Sequence, residues 1–63
     1  MTIIKEGDQI VVHGIMPPAK VSKVWYSKDE ARNVIELDWG GRGTSRVYDH
    51  DENKVWFKYK SVN

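Results

Sequence analysis

The residues able to do chemistry near neutral pH are few: two histidines, His13 and His50, and no cysteine. Without thiols there is no thiolate zinc site, no thiol nucleophile and no disulfide framework. A serine would have to serve as nucleophile, and Ser45 lies close in sequence to Asp49 and His50. Ser45 falls in a strand, where successive side chains point to opposite faces, so sequence nearness does not supply triad geometry. His13 reads as an edge residue of the first strand and His50 as a residue orienting a polar turn. Asp49, Asp51 and Asn53 match the first three ligand positions of a calcium loop. Lys54 then stands where the loop needs glycine, and Lys60 where it needs a bidentate glutamate. These carboxylates read instead as a solvated strand end. Glu36 and Asp38 share one strand face, with nothing to bury them or raise a pKa as a general acid and base require. The expectation is a protein that is not an enzyme, with no metal and no cofactor.

Gly40-Gly41-Arg42-Gly43 could cradle a phosphate if a helix followed it. Thr44 to Tyr48 reads as a strand, so the glycines supply the positive φ values of a tight hairpin. The more informative feature is the aromatic content: three Trp, three Tyr and one Phe in 63 residues. Strand parity assigns Phe57 to a core with Ile10, Val12, Val21, Ile35, Leu37 and Val47. It places Trp25 and Trp39 in the core or at its rim, and Tyr26, Tyr48 and Trp56 on outward faces or at the rim. Outward aromatics brace a thin sheet, or they bind. In one binding chemistry, bases stack on Tyr48 and Trp56 while Arg42, Arg46, Lys58 and Lys60 contact phosphates, as on single-strand platforms. In another, the rings form a groove or cage for a protein segment or a cationic side chain, with Asp49 or Asp51 as counter-charge. The binding face expected from these residues is Tyr26, Tyr48, Trp56, Arg42, Arg46 and Lys58. Burial of the aromatics across a symmetric interface would make a homo-oligomer instead.

The elements that must position these groups are short strands, because the apolar periodicity is near 2. Strands are expected at about 8–14, 19–27, 33–39, 44–49 and 55–60. The first ends at Gly14 and the Pro17-Pro18 turn. In the second, the apolar parity switches from Ala19 and Val21 to Val24 and Tyr26, which calls for a bulge at Ser22 or Lys23. Residues 27–33 form a hairpin loop, with Ser27 and Glu30 at the spacing of a capping box. The third strand alternates Ile35, Leu37 and Trp39 against Val34, Glu36 and Asp38. Asp49 to Asn53 suits one helical turn before the last strand, where Val55, Phe57 and Tyr59 are expected inward and Trp56 and Lys58 outward.

Five strands in so short a chain suggest an all-β single domain, a five-stranded small barrel with a short helical turn before its last strand. From Gly7 to about Tyr59 the chain resembles SH3-like barrels of the Tudor, KOW and PWWP kind. The resemblance rests on the order of G-D-Q-I-V-V (7–12), P-A-K-V (18–21), V-I-E-L-D-W-G-G (34–41), S-R-V-Y (45–48) and V-W-F-K-Y (55–59). Departures are Trp39-Gly40-Gly41 where Tudor domains have an aspartate-glycine turn, and Pro17-Pro18-Ala19-Lys20 in place of the Pro-Trp-Trp-Pro signature. With the aromatics and the local basic charge, the expectation is a non-catalytic binding module for nucleic acid, with a protein segment or a homo-oligomeric role as the alternative. Small barrels also include the type II dihydrofolate reductases, whose Val-Gln-Ile-Tyr stretch is not present beside Val47-Tyr48.

Thirty per cent of residues are charged, yet the formal net charge is only +1. Attraction to nucleic acid must therefore come from local segregation of charge. No apolar run approaches the ~20 residues of a membrane helix, and Met1 to Gly14 lacks a signal-peptide core, so an intracellular protein without a membrane partner is expected. A domain this small buries only about 60% of its unfolded surface, which makes each large core side chain count.

Overall fold

In the computed structural model, which describes residues 3–59, the alternating segments form five strands: β1 (Gln9–Val12), β2 (Ala19–Ser27), β3 (Arg32–Asp38), β4 (Thr44–Tyr48) and β5 (Trp56–Lys58). Lys60, expected at the end of the last strand, lies outside the described residues. All pairings are antiparallel, and the sheet order is β4-β3-β2-β1-β5. β2 is the hinge of this arrangement. Its first residues pair with β1 on one side (Gln9 opposite Lys20, Ile10 opposite Ala19), and Lys20 to Ser27, apart from Ser22, pair with β3 on the other.

The register of β2 on β3 shifts between Val21 and Lys23, where the apolar parity changes. Ser22 is the extra residue, and its hydroxyl donates to the Glu36 carboxylate at 3.0 Å. A bulge here keeps Val21 and Val24 on the same inner side although they are three residues apart, and it increases the local twist. In the β2–β3 loop, Ser27 Oγ accepts from the Glu30 N–H at 3.2 Å, the local bond that the spacing implied.

Trp39 to Thr44 turns through a 3₁₀ segment, Gly40–Arg42, closed by Trp39 N–H to the Gly43 carbonyl at 2.9 Å. Gly43 has φ +99° and ψ −155°, a region essentially closed to residues with a Cβ. Gly43→Ala is expected to lower the unfolding free energy by about 1–3 kcal/mol, read from the urea midpoint at unchanged m-value. A second 3₁₀ turn, Asp49–Asp51, leads to β5.

The core is Ile10, Ala19, Val21, Ile35, Leu37, Val47 and Trp56, with Ile4, Val12, Val24 and Trp39 packed around it. Here the expected phase of the last strand is corrected. Trp56 is fully buried and is among the largest core side chains, while Phe57 remains 40% exposed. The cause is the register: Val12 faces Trp56, Val11 faces Phe57 and Ile10 faces Lys58. Val55, which appeared to set an inward phase, belongs to the preceding turn, where its N–H donates to the Asp51 carbonyl at 2.9 Å. The indole also brings its own partner, since Nε1–H donates to the Tyr48 carbonyl at 2.8 Å and so no polar atom is orphaned by burial. That bond joins the end of β4 to β5 through a side chain. The backbone ladder between these two edge strands is open. Among the described residues no helix is long and apolar enough to cross a membrane.

Candidate functional site

The outer face of β2, β3 and β4 is set by register. Lys23 lies opposite Glu36 and Trp25 opposite Val34, and on the next strand Glu36 meets Arg46 and Val34 meets Tyr48. The Trp25 and Tyr48 rings flank Val34, which is fully buried although it points away from the main core. Bracing is therefore one role of these rings.

Their outer surfaces carry cations. Lys23 Nζ and the Arg46 guanidinium carbon each lie 5.3 Å from the Trp25 ring centroid, and the Arg32 guanidinium carbon lies 4.5 Å from that of Tyr48. These are cation–π distances, each contributing on the order of 0.5–1 kcal/mol at a surface. Glu36 lies among these cations, and its Oε1 accepts from the Ser22 hydroxyl at 3.0 Å. Among the described residues none of these three cations forms an ion pair; Lys58 pairs with Asp8 at 3.5 Å, and His50 Nε2 lies 3.4 Å from Asp51 Oδ1. Lys23, Arg32 and Arg46 are thus held over aromatic rings while keeping their charge available to solvent.

Tyr48 is the most constrained member. Its hydroxyl donates to Glu30 Oε1 at 2.6 Å, and the His50 ring stacks on it with centroids 6.0 Å apart. Arg32 Nε–H in turn donates to the Glu30 carbonyl at 3.3 Å. The bond to Glu30 raises the phenol pKa, helped by desolvation and the negative charge of Glu30, and opposed by Arg32 and Arg46. Because the folded pKa lies above the unfolded one, the stabilisation from this bond is complete below the ordinary tyrosine value near ~10 and is lost as pH rises through the folded pKa. Tyr48→Phe should therefore be less stable than the parent at neutral pH, and the difference should vanish in strongly alkaline solution, as measured by urea midpoints across pH.

Of the residues expected to form one binding face, the fold brings together Arg46 and Tyr48. Trp56 is removed from it by complete burial. Lys58 is engaged by Asp8 beside β1. Tyr26, 58% exposed, pairs with Asn33 and so alternates to the other face from Trp25. Arg42 sits in the 3₁₀ turn at the far end of the strands. Lys23, Trp25 and Arg32 complete the face, and none of them was singled out for binding by the sequence. A signal was present, since Lys23-Val24-Trp25 and Arg46-Val47-Tyr48 share the spacing that puts a cation and a ring on one strand face.

Ser45 occupies the opposite strand face from Arg46 and Tyr48, and its hydroxyl accepts Trp39 Nε1–H at 2.6 Å. His13 packs edge-on to Phe57, with centroids 5.8 Å apart, on the outer side of β1 and β5.

A pocket of about 320 Å³ lies between the β1–β2 loop and the β3–β4 turn, lined by Pro17, Pro18, Lys20, Asp38, Trp39, Gly40 and Arg42. Lys20 and Asp38 oppose each other in the β2–β3 ladder, on the same outer face as Lys23 and Glu36. The pocket therefore continues the cation-bearing face at one end. No protein-family model, curated protein or solved structure matches the chain.

Proposed function

We propose that the chain is a non-catalytic, SH3-like small β-module that binds single-stranded nucleic acid on the outer face of β2, β3 and β4. Support for the SH3-like reading comes from the sheet order, the long bulged β2 shared between β1 and β3, and the 3₁₀ turn before β5.

The observation that carries the functional reading is the seating of Lys23, Arg32 and Arg46 over Trp25 and Tyr48. An aromatic cage for a cationic side chain needs open ring faces, and here these faces already hold the protein's own cations. An incoming cation would have to displace them against like charge. A polyanion meets the reverse situation: phosphates are drawn to the three cations, and bases can stack on guanidinium planes or on ring surface exposed when an arginine swings to a phosphate.

Tryptophan fluorescence titration with a mixed-sequence oligonucleotide at two salt concentrations, with a duplex as control, tests the reading. Binding that is saturable, weakens with salt and favours the single strand supports it. No response to either nucleic acid would refute it.

A second reading, contact with a protein or another copy of the chain, is favoured by a different surface. Val55, Phe57 and Tyr59 are each 40–42% exposed. Concentration-dependent mass in sedimentation, with no response to oligonucleotides, would favour that reading.

A further inference from the structure

The pocket between the Pro17-Pro18 loop and the Trp39–Arg42 turn combines three kinds of group. Two of its lining groups are flat and apolar: the prolines of the β1–β2 loop and Trp39 at the β3–β4 turn. The indole is fixed in place by its bond to Ser45 and by packing on the core. One oriented acceptor is present, the Asp38 carboxylate. Its Oδ1 accepts the Gly40 N–H at 2.7 Å, which holds the group at the turn, and among the described residues its second oxygen has no protein partner. Two cations, Lys20 and Arg42, are also among its lining residues. Neither forms an ion pair with Asp38 among the described residues, although Lys20 faces it in the ladder. The volume, about 320 Å³, is at the small end of ligand pockets, which span roughly 300–1,000 Å³.

Each simpler ligand leaves part of this set unused. Inorganic phosphate would meet the cations and ignore the walls. A cationic side chain would suit Asp38 and be opposed by Lys20 and Arg42. An apolar segment would desolvate all three charges without compensating them. A nucleotide unit uses every group at once: a flat ring against the prolines and indole, a phosphate at the cations, and an amino group on the ring edge donating to the carboxylate. Carboxylates accept from exocyclic amino groups of bases in this way, as from cytosine N4.

We infer that this pocket is a base-selective nucleotide site, preferring a base with an exocyclic amino group over uracil or thymine. Its place in the sheet indicates how a strand would reach it. Lys20 and Asp38 follow Lys23 and Glu36 along the same outer face, so an oligonucleotide lying on that face would deliver one of its bases here. The strand-borne source rests on the nucleic-acid reading above; a free nucleotide does not.

The test is NMR titration of the full chain with CMP, AMP, GMP and UMP, and with thymidine hexamers in which one base is replaced by cytosine. Gly40 N–H and the Trp39 indole report on the pocket, and the Trp25 indole reports on the outer face. CMP should shift the pocket signals with an affinity about tenfold above UMP, and the cytosine-containing hexamer should exceed all-thymidine by a similar factor. Asp38→Asn keeps an oxygen for the Gly40 N–H but can turn a donor toward the base, so it should abolish the preference. Lys20→Ala should weaken all nucleotides together and leave the preference intact.

Equal responses to all four bases, or an unchanged preference in Asp38→Asn, would overturn the inference. If hexamers shift Trp25 while Gly40 and Trp39 stay silent, the pocket proposal fails and the nucleic-acid reading stands. If CMP shifts the pocket and hexamers leave Trp25 unmoved, the reading fails and the pocket stands as a site for free nucleotide.

Discussion

Trp56→Ala is expected to leave the chain unfolded at 25 °C. Truncating a buried tryptophan costs about 3–5 kcal/mol, and a single core in a domain below ~70–80 residues rarely supplies more than about 3–5 kcal/mol in total. Here the indole is fully buried among Ile10, Val21, Leu37 and Val47, and it also bonds the Tyr48 carbonyl across the open side of the sheet. Its loss removes core volume and the link between β4 and β5 together. Near-UV circular dichroism and amide dispersion read the outcome. Phe57→Ala is the informative contrast, because Phe57 is 40% exposed and packs on His13 at the surface. That variant should keep the native spectrum and lose on the order of 1 kcal/mol. A folded Trp56→Ala beside an unfolded Phe57→Ala would reverse the assigned phase of β5.

Arg32→Ala combined with Arg46→Ala is expected to weaken single-strand binding by about a hundredfold while leaving the fold intact. Hydrogen bonds to charged groups contribute roughly 1.5–3 kcal/mol each, and tenfold in affinity is about 1.4 kcal/mol, so about tenfold per arginine is the lower expectation. Each lost phosphate contact should also lower the slope of log affinity against log salt by about 0.7 for a single strand. The double variant should therefore show a slope shallower by about 1.4. Both guanidiniums stand on ring surfaces at 4.5–5.3 Å, so their removal costs little packing, and a thermal melt provides the control. Lys58→Ala is the negative comparison. Lys58 is held by Asp8 away from this face, and its removal should leave both affinity and salt slope close to those of the parent.

Much of the fold follows from local rules that a single chain displays. The alternation of β3 gives a strand with Ile35 and Leu37 inward. The parity change in β2 marks the bulge at Ser22, and the glycines at 40–43 and the polar run from Asp49 mark the two turns. The phase of β5 did not follow, because a parity count weighs Val55, Phe57 and Tyr59 against one Trp56. Val55 belongs to the turn, and the indole satisfies its own N–H in the core through a carbonyl eight residues earlier. That tertiary bond leaves no trace in local periodicity.

The site was legible only where one strand held its parts, as with Arg46 and Tyr48. Trp25, Arg32 and Lys23 join them through the register of three strands, and that register depends on the bulge shifting by one residue at Ser22. Without the shift, Val24 rather than Lys23 and Trp25 would occupy the outer face. The gathering of Lys23, Arg32 and Arg46 on one face is a consequence of this register.

Binding on the outer face is tested by the three indole N–H signals, from Trp25 on that face, Trp39 at the pocket and Trp56 in the core. They are followed by ¹⁵N-resolved NMR during titration with a single-stranded oligonucleotide at low and at physiological salt. Binding on the outer face should give a saturable shift of the Trp25 signal that requires more oligonucleotide at the higher salt, with the Trp56 signal unmoved. A Trp25 signal that stays in place while oligonucleotide is added at low salt would contradict it.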